Sequence, residues 1–528
     1  MASERVENLI KSMSNEEKIG QVMICGFDGT RPSDQIKILI RDYHLGNVVL
    51  FRRNIEGPYQ IKKLTTELQQ LSKIPLTMAV DQEGGIVTRL TDPFTIFPGN
   101  MATAATGDPH NAYLTGLTMA KEMRAVGLNW NLAPVVDVND LPENPGIGVR
   151  SYSDDPKVVT RYASEFVMGL HEGQVAGCAK HFPGKGHSAK DAHLEMPVVD
   201  RTMDDLMKID LFPFHELVRD GIDAIMPTHV YYTALCESEN LPATLSHSVM
   251  SDLLKEEMNF DGVIVTDDLE MGGITNNLKG SDAAWRSFLA GADMLMICHT
   301  FDEQVKAFTT LIQMVKFGEI PIERLNDAVR HVLTMKEKIG LLDGKLIIDS
   351  EIGSKENLEI SKEIVKQSVT LVRNEDDLLE KIKDSKVFLI FPKDVALVKV
   401  EENQEGISEI ERILNERKIP VESFYVSSKP TEAEIDEISK KLNTFDGIVL
   451  VCTLNAHMIP EWKKLLHVLK VIKPFETLLV ALRNPYDCKM NGVRNSIALY
   501  NYSKASQSAF ITMVIDGEKF MGKLPVRS

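Results

Sequence analysis

Short apolar runs recur up to about residue 300, and amphipathic segments separate them. Eight such runs are present, at residues 20–27, 46–51, 75–80, 128–138, 175–182, 223–230, 262–267 and 292–298. Continuous apolar runs bounded by Gly and Pro are typical of strands buried on both faces of a parallel sheet. The intervening segments, such as YQIKKLTTELQQLSK, carry apolar residues at three- and four-residue spacing, which predicts helices.

Eight strand–helix units predict an α/β fold of the TIM-type (β/α)8 barrel class, in which reactive residues follow the strands. An open doubly wound sheet is the competing architecture, and the number of strands alone does not exclude it. An amphipathic helix at 323–342 ends this region, so we expect a barrel catalytic domain over residues 1–342.

A second α/β unit is predicted after a polar, poorly periodic connector at 343–357. Residues 358–528 begin with a predicted helix, SKEIVKQSVTLVRN, and then alternate apolar runs with charged helical stretches. The runs lie at 387–392, 423–428, 447–454, 477–483 and 497–502. This pattern predicts a smaller open-sheet α/β sandwich domain with helices on both faces of the sheet.

Composition narrows the class of protein. The 528 residues are 43% hydrophobic and carry 59 basic against 76 acidic side chains, a net charge of −17, so we expect no nucleic-acid partner. No apolar run is long enough to span a bilayer, and the start, MASERVENLIKSMSNEEK, lacks the pattern of a secretory signal. We therefore expect a cytoplasmic protein without a membrane partner.

The six cysteines form no C-x-x-C pair and are predicted to be buried free thiols. Oligomeric state is left open.

Titratable side chains follow six of the eight predicted strands. They are Asp81, Asp137, Lys180 with His181, His229, Asp267 with Asp268, and His299. One such residue would mean little, because a helix-capping Asp or a surface Lys is common at a strand–helix turn. Six at the same end of a parallel sheet predict a polar pocket and an active site.

The stretch AKHFPGKGHSAKDAHLEMP (179–197) is the densest in such groups, and its Pro and Gly residues predict a loop. A zinc site would use His187, Asp191 and His193, but the spacing matches no familiar ligand pattern and nearby lysines would oppose a cation. A phosphate cradle would need G-x-x-x-x-G-K-[ST], which is absent. In an extended segment Asp191 and His193 project to the same side, so the carboxylate can orient the imidazole as a proton donor. A solvated basic loop is the alternative.

A carboxylate also ends the strand in FDGVIVTDDLEMGGI (260–274), at Asp267 and Asp268. Helix capping or an ion pair would explain either residue alone. The chemical interpretation is a nucleophile that attacks an anomeric carbon, as in retaining glycoside hydrolysis. The groups able to grip adjacent sugar hydroxyls are Asp81, Glu83, Arg89, Arg150, Lys180 and His181.

In this order and spacing, DQEGGIVTRL, NLAPVVDV, VRSYSDDP, AKHFPGKGHSAKDAH and VIVTDDLEMGGI resemble family 3 glycoside hydrolases, most closely the bacterial β-N-acetylglucosaminidase (β-hexosaminidase) branch. The resemblance covers residues 10–340, and SKEIVKQSVTLVRN and GKLPV resemble that family's second domain. It implies retaining exo-hydrolysis of terminal β-linked N-acetylglucosamine without a cofactor or a metal. The substrate it implies is a small amino-sugar glycoside, typically a muropeptide met in peptidoglycan recycling.

The resemblance also implies a role for each matching residue. Asp267 matches the nucleophile, and His193, oriented by Asp191, matches the acid/base. Asp81, Arg89, Arg150, Lys180 and His181 match the sugar-binding positions.

The chain departs from the family loop at Lys185 and His187, and we hypothesise that these residues favour an anionic substituent on the substrate. A neutral deprotonated histidine would not repel phosphate, so a phosphorylase is an alternative. A β-glucosidase of the same family and a non-catalytic sugar-binding protein are further alternatives. Substrate assistance by paired Asp267 and Asp268 is a less favoured mechanism.

Overall fold

The computed structural model describes residues 2–190, 196–276, 278–397, 401 and 408–527. Within these ranges the chain has an α/β fold. Its strands, in chain order, are β1 (Met23–Cys25), β2 (Asn47–Leu50), β3 (Thr77–Val80), β4 (Gln82–Gly84), β5 (Val87–Thr88), β6 (Trp130–Asn131), β7 (Cys178–Phe182), β8 (Val198–Val199), β9 (Ala224–Pro227), β10 (Tyr231–Tyr232), β11 (Val263–Ile264), β12 (Leu295–Ile297), β13 (Thr370–Asn374), β14 (Val387–Pro392), β15 (Val421–Val426), β16 (Ile448–Thr453), β17 (Thr477–Ala481) and β18 (Asn495–Ala498).

Helices alternate with these strands. They are α1 (Glu4–Ser12), α2 (Asn15–Gln21), α3 (Asp34–Asp42), α4 (Pro58–Gln69), α5 (Asn100–Ala105), α6 (His110–Ala125), α7 (Pro156–Glu172), α8 (Met203–Asp205), α9 (Phe212–Arg219), α10 (Gly272–Thr275), α11 (Gly280–Ala290), α12 (Phe301–Phe317), α13 (Ile322–Lys338), α14 (Lys355–Ser368), α15 (Leu378–Lys381), α16 (Glu409–Glu416), α17 (Glu432–Leu442), α18 (Pro460–Ile472) and α19 (Lys504–Asp516). Short 3-10 turns lie at Arg52–Asn54, Gly148–Arg150, Ala243–Leu245, Ile382–Asp384 and Pro485–Lys489, and π-helical turns at Leu206–Asp210 and Ser248–Glu257.

The eight predicted apolar runs form two parallel sheets. One has the order β12–β1–β2–β3–β6 and the other β11–β9–β7. Single parallel bridges join residues at their margins, Trp130 to Ala176, Val135 to Lys180 and Val265 to Met294. Every residue of these eight strands is buried, which explains why the runs are continuously apolar and do not alternate with polar residues.

A six-stranded sheet, of order β13–β18–β17–β16–β14–β15, lies within residues 370–498. All of its pairs are parallel except β13 with β18. The end of the predicted helix SKEIVKQSVTLVRN is strand β13, because α14 ends at Ser368 and Thr370 begins the antiparallel pairing with Ala498. Helix α14 begins inside the predicted connector, where the Ser354 side chain caps it by accepting a hydrogen bond from the Asn357 amide at 3.2 Å. The predicted division into domains stays a prediction.

The apolar core around the six-stranded sheet extends into the first half of the chain. Ile86, Met101 and Val149 belong to the same buried cluster as the side chains of β14, β16 and β17. Hydrogen bonds cross the same boundary, for example from the Val149 amide to Asn484 Oδ1 at 3.0 Å. In the described ranges, no helix combines the length and apolarity needed to cross a lipid bilayer.

Candidate active site

A cavity of about 710 Å³ opens at the carboxyl ends of the parallel strands. The predicted nucleophile Asp267 and all five predicted sugar-binding residues line it: Asp81, Arg89, Arg150, Lys180 and His181. Asp81 directly follows β3, Lys180 and His181 belong to β7, and Asp267 follows β11. The structure therefore brings together side chains that are up to 186 residues apart in the chain, from Asp81 to Asp267.

The DQEGG motif forms a tight antiparallel hairpin, β4–β5, directly after β3. Gly84 and Gly85 have positive φ angles of 85° and 63°, and a Cβ on Gly85 would lie 2.9 Å from the Pro98 carbonyl oxygen. Only glycine meets both conditions without strain. The hairpin carries Glu83 on one side of the turn and leads into Arg89 on the other.

Glu83 is a buried carboxylate that holds two cations at the cavity. Its Oε1 lies 2.8 Å from both Arg150 Nη2 and Lys180 Nζ, and its Oε2 accepts a hydrogen bond from Arg150 Nε at 2.9 Å. Burial alone would raise the pKa of Glu83, but the charges of Arg150 and Lys180 outweigh burial and lower it to about 2. The three side chains are therefore ionised at neutral pH and fixed relative to one another.

Lys180 also reaches the cavity carboxylate, with its Nζ 2.7 Å from Asp81 Oδ1. Burial opposes the charged amine, but Asp81 and Glu83 raise the pKa of Lys180. Lys180 and His181 are consecutive in β7 and yet both line the cavity, where the pairing with β9 shifts register between Lys180 and Phe182. A charged ammonium beside a carboxylate that is only 17% exposed can hydrogen-bond adjacent hydroxyl groups of a sugar.

Asp137 fixes the orientation of the His181 ring. The His181 Nδ1 lies 2.8 Å from Asp137 Oδ2, and Asp137 Oδ1 accepts the Lys185 amide at 2.7 Å. Asp137 is fully buried, and burial raises its pKa. The predicted strand-end residue Asp137 thus supports a cavity residue and does not line the cavity itself.

The adjacent carboxylates Asp267 and Asp268 have different surroundings. Asp268 is buried and tied to the next strand, because its Oδ1 accepts the Cys298 amide and its Oδ2 lies 3.2 Å from His299 Nε2. Asp267 is half-buried, and its Oδ1 accepts the Asp268 amide at 2.8 Å. Both line the cavity, and Asp268 mainly holds the turn together.

Other predicted residues lie elsewhere. Asp191 and His193 lie outside the described residues. Lys185 is buried, and His187 Nδ1 lies 3.0 Å from Asp140 Oδ1; neither belongs to the described lining of the cavity. The hypothesis that Lys185 and His187 contact an anionic substituent has no support from these contacts. His229 is fully buried and hydrogen-bonds through Nε2 to the Asp268 carbonyl oxygen at 2.9 Å.

Several lining residues were not predicted. Arg53 follows β2, and its guanidinium lies 4.5 Å from the centre of the Phe51 ring, while the ring of His299 lies 5.5 Å from that of Phe51. Arg53 is held by hydrogen bonds to Cys298 O at 2.9 Å and Phe27 O at 3.1 Å. The polar ending of the 46–51 run is the signal that could have identified Arg53.

Glu401 lines the cavity from the second half of the chain. Its carboxylate is paired with the buried Arg483, with Nη1 to Oε1 at 2.8 Å, and Tyr502 OH lies 3.4 Å from Oε2. No local pattern in the sequence marks this residue, because only the packing of the six-stranded sheet brings it to the cavity.

One group of metal-ligating side chains appears among the described residues, Asp293 with Asp327 and His331. Asp293 is already neutralised by Lys255 Nζ at 2.8 Å, Arg324 Nη1 at 3.1 Å and His331 Nδ1 at 3.0 Å. The charges of Lys255 and Arg324 make this an ion-pair network, and they oppose the binding of a metal cation.

Comparisons with known proteins agree with this geometry. Residues 14–335 match the glycosyl hydrolase family 3 N-terminal domain. The β-hexosaminidase A of Pseudoalteromonas piscicida is 33% identical over 384 residues, which is 68% of this chain and 64% of that protein's length. The structure of a family 3 β-N-acetylglucosaminidase from Paenibacillus sp. str. FPU-7 has a TM-score of 0.92 and 32% identity, covering 98% of this chain and 99% of that one. A β-glucoside phosphorylase structure has a TM-score of 0.82 and 25% identity, covering 99% of this chain and 96% of that one.

These matches confirm the resemblance drawn from the motifs. The matched family domain covers all the predicted nucleophile and sugar-binding residues that line the cavity, from Asp81 to Asp267. The chain belongs to glycosyl hydrolase family 3 and is a glycoside hydrolase.

Proposed function

We propose that this protein is a retaining exo-β-N-acetylglucosaminidase. The observation that carries the proposal is the position of Asp267 in one cavity with Asp81, Arg150, Lys180 and His181. A β-hexosaminidase and a β-N-acetylglucosaminidase are among the similar proteins, which supports an N-acetylglucosaminide as substrate.

The proposed reaction has two steps. Asp267 attacks the anomeric carbon and the glycosidic bond breaks, while His193, oriented by Asp191, donates a proton to the departing oxygen. The deprotonated histidine then takes a proton from water, whose oxygen attacks the anomeric carbon and releases Asp267. The hydrogen bond from the Asp268 amide fixes one oxygen of Asp267 and so supports its orientation toward the cavity.

The remaining cavity residues are proposed to bind the terminal sugar. Asp81 accepts hydrogen bonds from hydroxyl groups, and Lys180, Arg89 and Arg150 donate to sugar oxygens. Because Glu83 holds Lys180 and Arg150 in place, these donors are set before the sugar binds. Preorganised donors reduce the entropy that binding would otherwise lose.

We infer that the eight parallel strands close into one barrel domain over residues 1–342, joined through 343–357 to an α/β sandwich domain at 358–528. The bridges Trp130–Ala176, Val135–Lys180 and Val265–Met294 support this closure, because they pair the margins of the two sheets. A closed ring places all eight strand ends around one cavity.

The finer proposal for the substrate is a cell-wall muropeptide, met in peptidoglycan recycling. The cavity of about 710 Å³ exceeds the space that one sugar ring needs, and Arg52, Arg53 and His299 line it. Cationic side chains favour an aglycone that carries carboxylates.

A phosphorylase is the second candidate, supported by the similarity to a β-glucoside phosphorylase structure. The deciding experiment incubates the protein with p-nitrophenyl β-N-acetylglucosaminide, with and without phosphate, and identifies the sugar by mass. Free N-acetylglucosamine at a phosphate-independent rate supports the hydrolase. Phosphate-dependent N-acetylglucosamine 1-phosphate means a phosphorylase, and cleavage of only the β-glucoside means another branch of the family.

The nucleophile is tested by Asp267→Asn, with Asp268→Asn as the matched control. We expect Asp267→Asn to lower kcat by at least about 1,000-fold, since covalent catalysis is lost, and Asp268→Asn to lower it far less. Mass spectrometry of rapidly quenched enzyme should find the glycosyl adduct on the peptide that contains Asp267. An adduct elsewhere, or equal losses in both variants, contradicts the assignment.

A further inference from the structure

A short segment of the first half of the chain, residues 139–144, packs against the second half. Tyr486 OH accepts a hydrogen bond from Asn139 Nδ2 at 2.8 Å, and His457 Nε2 lies 3.0 Å from the Pro142 carbonyl oxygen. The rings of His457 and Tyr486 contact each other edge to face, with centroids 5.3 Å apart. Two side chains of the C-terminal sheet region thus hold this segment, which we call the bridging segment.

The other side of the bridging segment holds the start of the loop that leads from β7 toward Asp191. Asn144 Nδ2 donates to the Lys185 carbonyl oxygen at 2.8 Å and to the Gly186 carbonyl oxygen at 3.0 Å. Asp140 Oδ1 lies 3.0 Å from His187 Nδ1. The path of the backbone at 185–187 therefore depends on where the bridging segment lies.

Arg201 ties the far end of the same loop to the same anchor. Its guanidinium pairs with Asp140 and contacts His187 Nδ1 at 2.8 Å, while Nη1 binds Asp210 Oδ2 at 2.6 Å. The Arg201 side chain is 9% exposed and Asp210 is fully buried, so the Arg201–Asp210 pair is enclosed, and Asp140 beside it is 22% exposed. Both described ends of the loop, at 185–190 and 196–201, thus converge on Asp140.

The His457 side chain is held in place by Asp487. Its Nδ1 lies 2.6 Å from Asp487 Oδ1, and Asp487 also accepts the Thr453 hydroxyl at 2.7 Å and the Ala456 amide at 2.8 Å at the end of β16. Both ring nitrogens of His457 face acceptors, the Asp487 carboxylate and the Pro142 carbonyl, so the ring bridges them best as an imidazolium that donates twice.

We propose that His457 is a positioning residue: through the bridging segment it fixes both ends of the loop that carries the proposed Asp191–His193 dyad, and this is a role of the C-terminal sheet in the reaction. The inference rests on the proposed function, because it assigns the dyad to proton transfer. His457 does not line the cavity, so it acts through Pro142 and Asp140 and not on the substrate.

The test compares substrates that need the proton donor to different extents. A p-nitrophenolate leaves readily without protonation, whereas an alkoxide such as the methyl aglycone requires it. In His457→Gln we expect kcat/KM for methyl β-N-acetylglucosaminide to fall at least about tenfold more than for the p-nitrophenyl glycoside. A purely structural role would lower both values by the same factor.

His467→Gln is the matched control, because His467 is an exposed histidine of α18 in the same sheet region. It should leave both substrates unchanged. Tyr486→Phe, which removes only the hydroxyl that contacts Asn139, should reproduce the selective loss in weaker form.

Hydrogen exchange provides a readout that does not need activity. Peptides over 139–144 and 185–190 should exchange faster in His457→Gln than in the wild type, and not in His467→Gln. Unchanged exchange, or equal losses on both substrates, overturns the inference. A wild type that cleaves no N-acetylglucosaminide overturns the proposed function instead, and the exchange result still decides whether His457 positions the loop.

Discussion

At the scale of single residues, the arrangement of the cavity depends on charged side chains that are almost wholly buried. Glu83 lies behind the lining residues, and its contacts with Arg150 and Lys180 hold two cations that a sugar would meet. Removing one member of a buried ionic group leaves the others unpaired in a low-dielectric site. Glu83 therefore contributes both to the stability of the fold and to the arrangement of the cavity.

Glu83→Gln is expected to destabilise the protein by about 3 kcal/mol and to lower kcat/KM at least about tenfold, since Arg150 loses its carboxylate partner and Lys180 keeps only Asp81. The pKa of Glu83 is lowered to about 2 from 4.5, so its contribution is complete above pH 4.5 and is lost as pH falls toward 2. Urea unfolding at several pH values measures this, and Glu83→Gln should lack that acid loss. Glu67→Gln, in an exposed pair with Lys63, is the control and should change stability by less than about 1 kcal/mol.

Lys336 is a second enclosed charge, with neutral partners. Its Nζ donates to Gln21 Oε1 at 2.7 Å and to the Gly46 carbonyl oxygen at 2.9 Å, and burial lowers its pKa to about 7 from 10.5. Between those values the unfolded chain binds a proton that the folded chain does not, so the free energy of unfolding rises with pH. We expect Lys336→Met to remove that rise between about pH 7.5 and 9, a range that lies inside the interval between the two pKa values. Equal slopes in chemical unfolding of the two proteins would contradict this assignment.

At the scale of elements, the loop after β7 packs closely against the backbone of Val138. A Cβ on Gly186 would lie 1.8 Å from the Val138 carbonyl oxygen. This is a steric clash, and the backbone would have to move to remove it. Residues 185–187 therefore pass the backbone of residues 138 and 139 only because position 186 has no side chain.

Gly186→Ala is expected to shift this part of the loop and to lower kcat/KM at least about tenfold for glycosides with poor leaving groups. Gly57→Ala is the control, because no atom lies within 4 Å of its ideal Cβ and its φ of 167° is extended backbone. Steady-state kinetics on the methyl and p-nitrophenyl glycosides gives the comparison. Loss of activity in neither variant would mean that the loop path does not limit proton transfer.

At the scale of the whole molecule, the two halves share an apolar core. Met101 is fully buried in the cluster that surrounds β14 and β16, although it lies far from them in the chain. We expect calorimetry of the full chain to show one cooperative transition, because neither half can unfold without exposing that core. Met101→Ala should move the whole transition to lower temperature, through a loss of about 2–5 kcal/mol. Two separate thermal transitions, of which Met101→Ala shifts only one to lower temperature, would show that the two halves unfold independently.

Local pattern determined a large part of this molecule. All eight apolar runs of the first half are parallel strands, because a strand buried on both faces must be apolar at every position. The polar residues at four of the six predicted strand ends meet in one cavity, since parallel strands all end on the same side; these residues are Asp81, Lys180 with His181, Asp267 with Asp268, and His299. The residues of β13 were predicted to end a helix, because they continue an amphipathic pattern and their strand state depends on pairing with β18.

The tertiary structure decided what lies between distant segments. Asp81 and Asp267 could be identified from the sequence, since each directly follows an apolar run that predicts a buried strand and belongs to a recognisable motif. Glu401 and His457 could not, because their places at the cavity and at Pro142 arise from how the six-stranded sheet packs on the strands of the first half. The sequence by itself indicates which side chains have the chemistry for catalysis or sugar binding. Which of them come into contact is decided by long-range packing, because a buried cation is stable only where the fold places a carboxylate beside it.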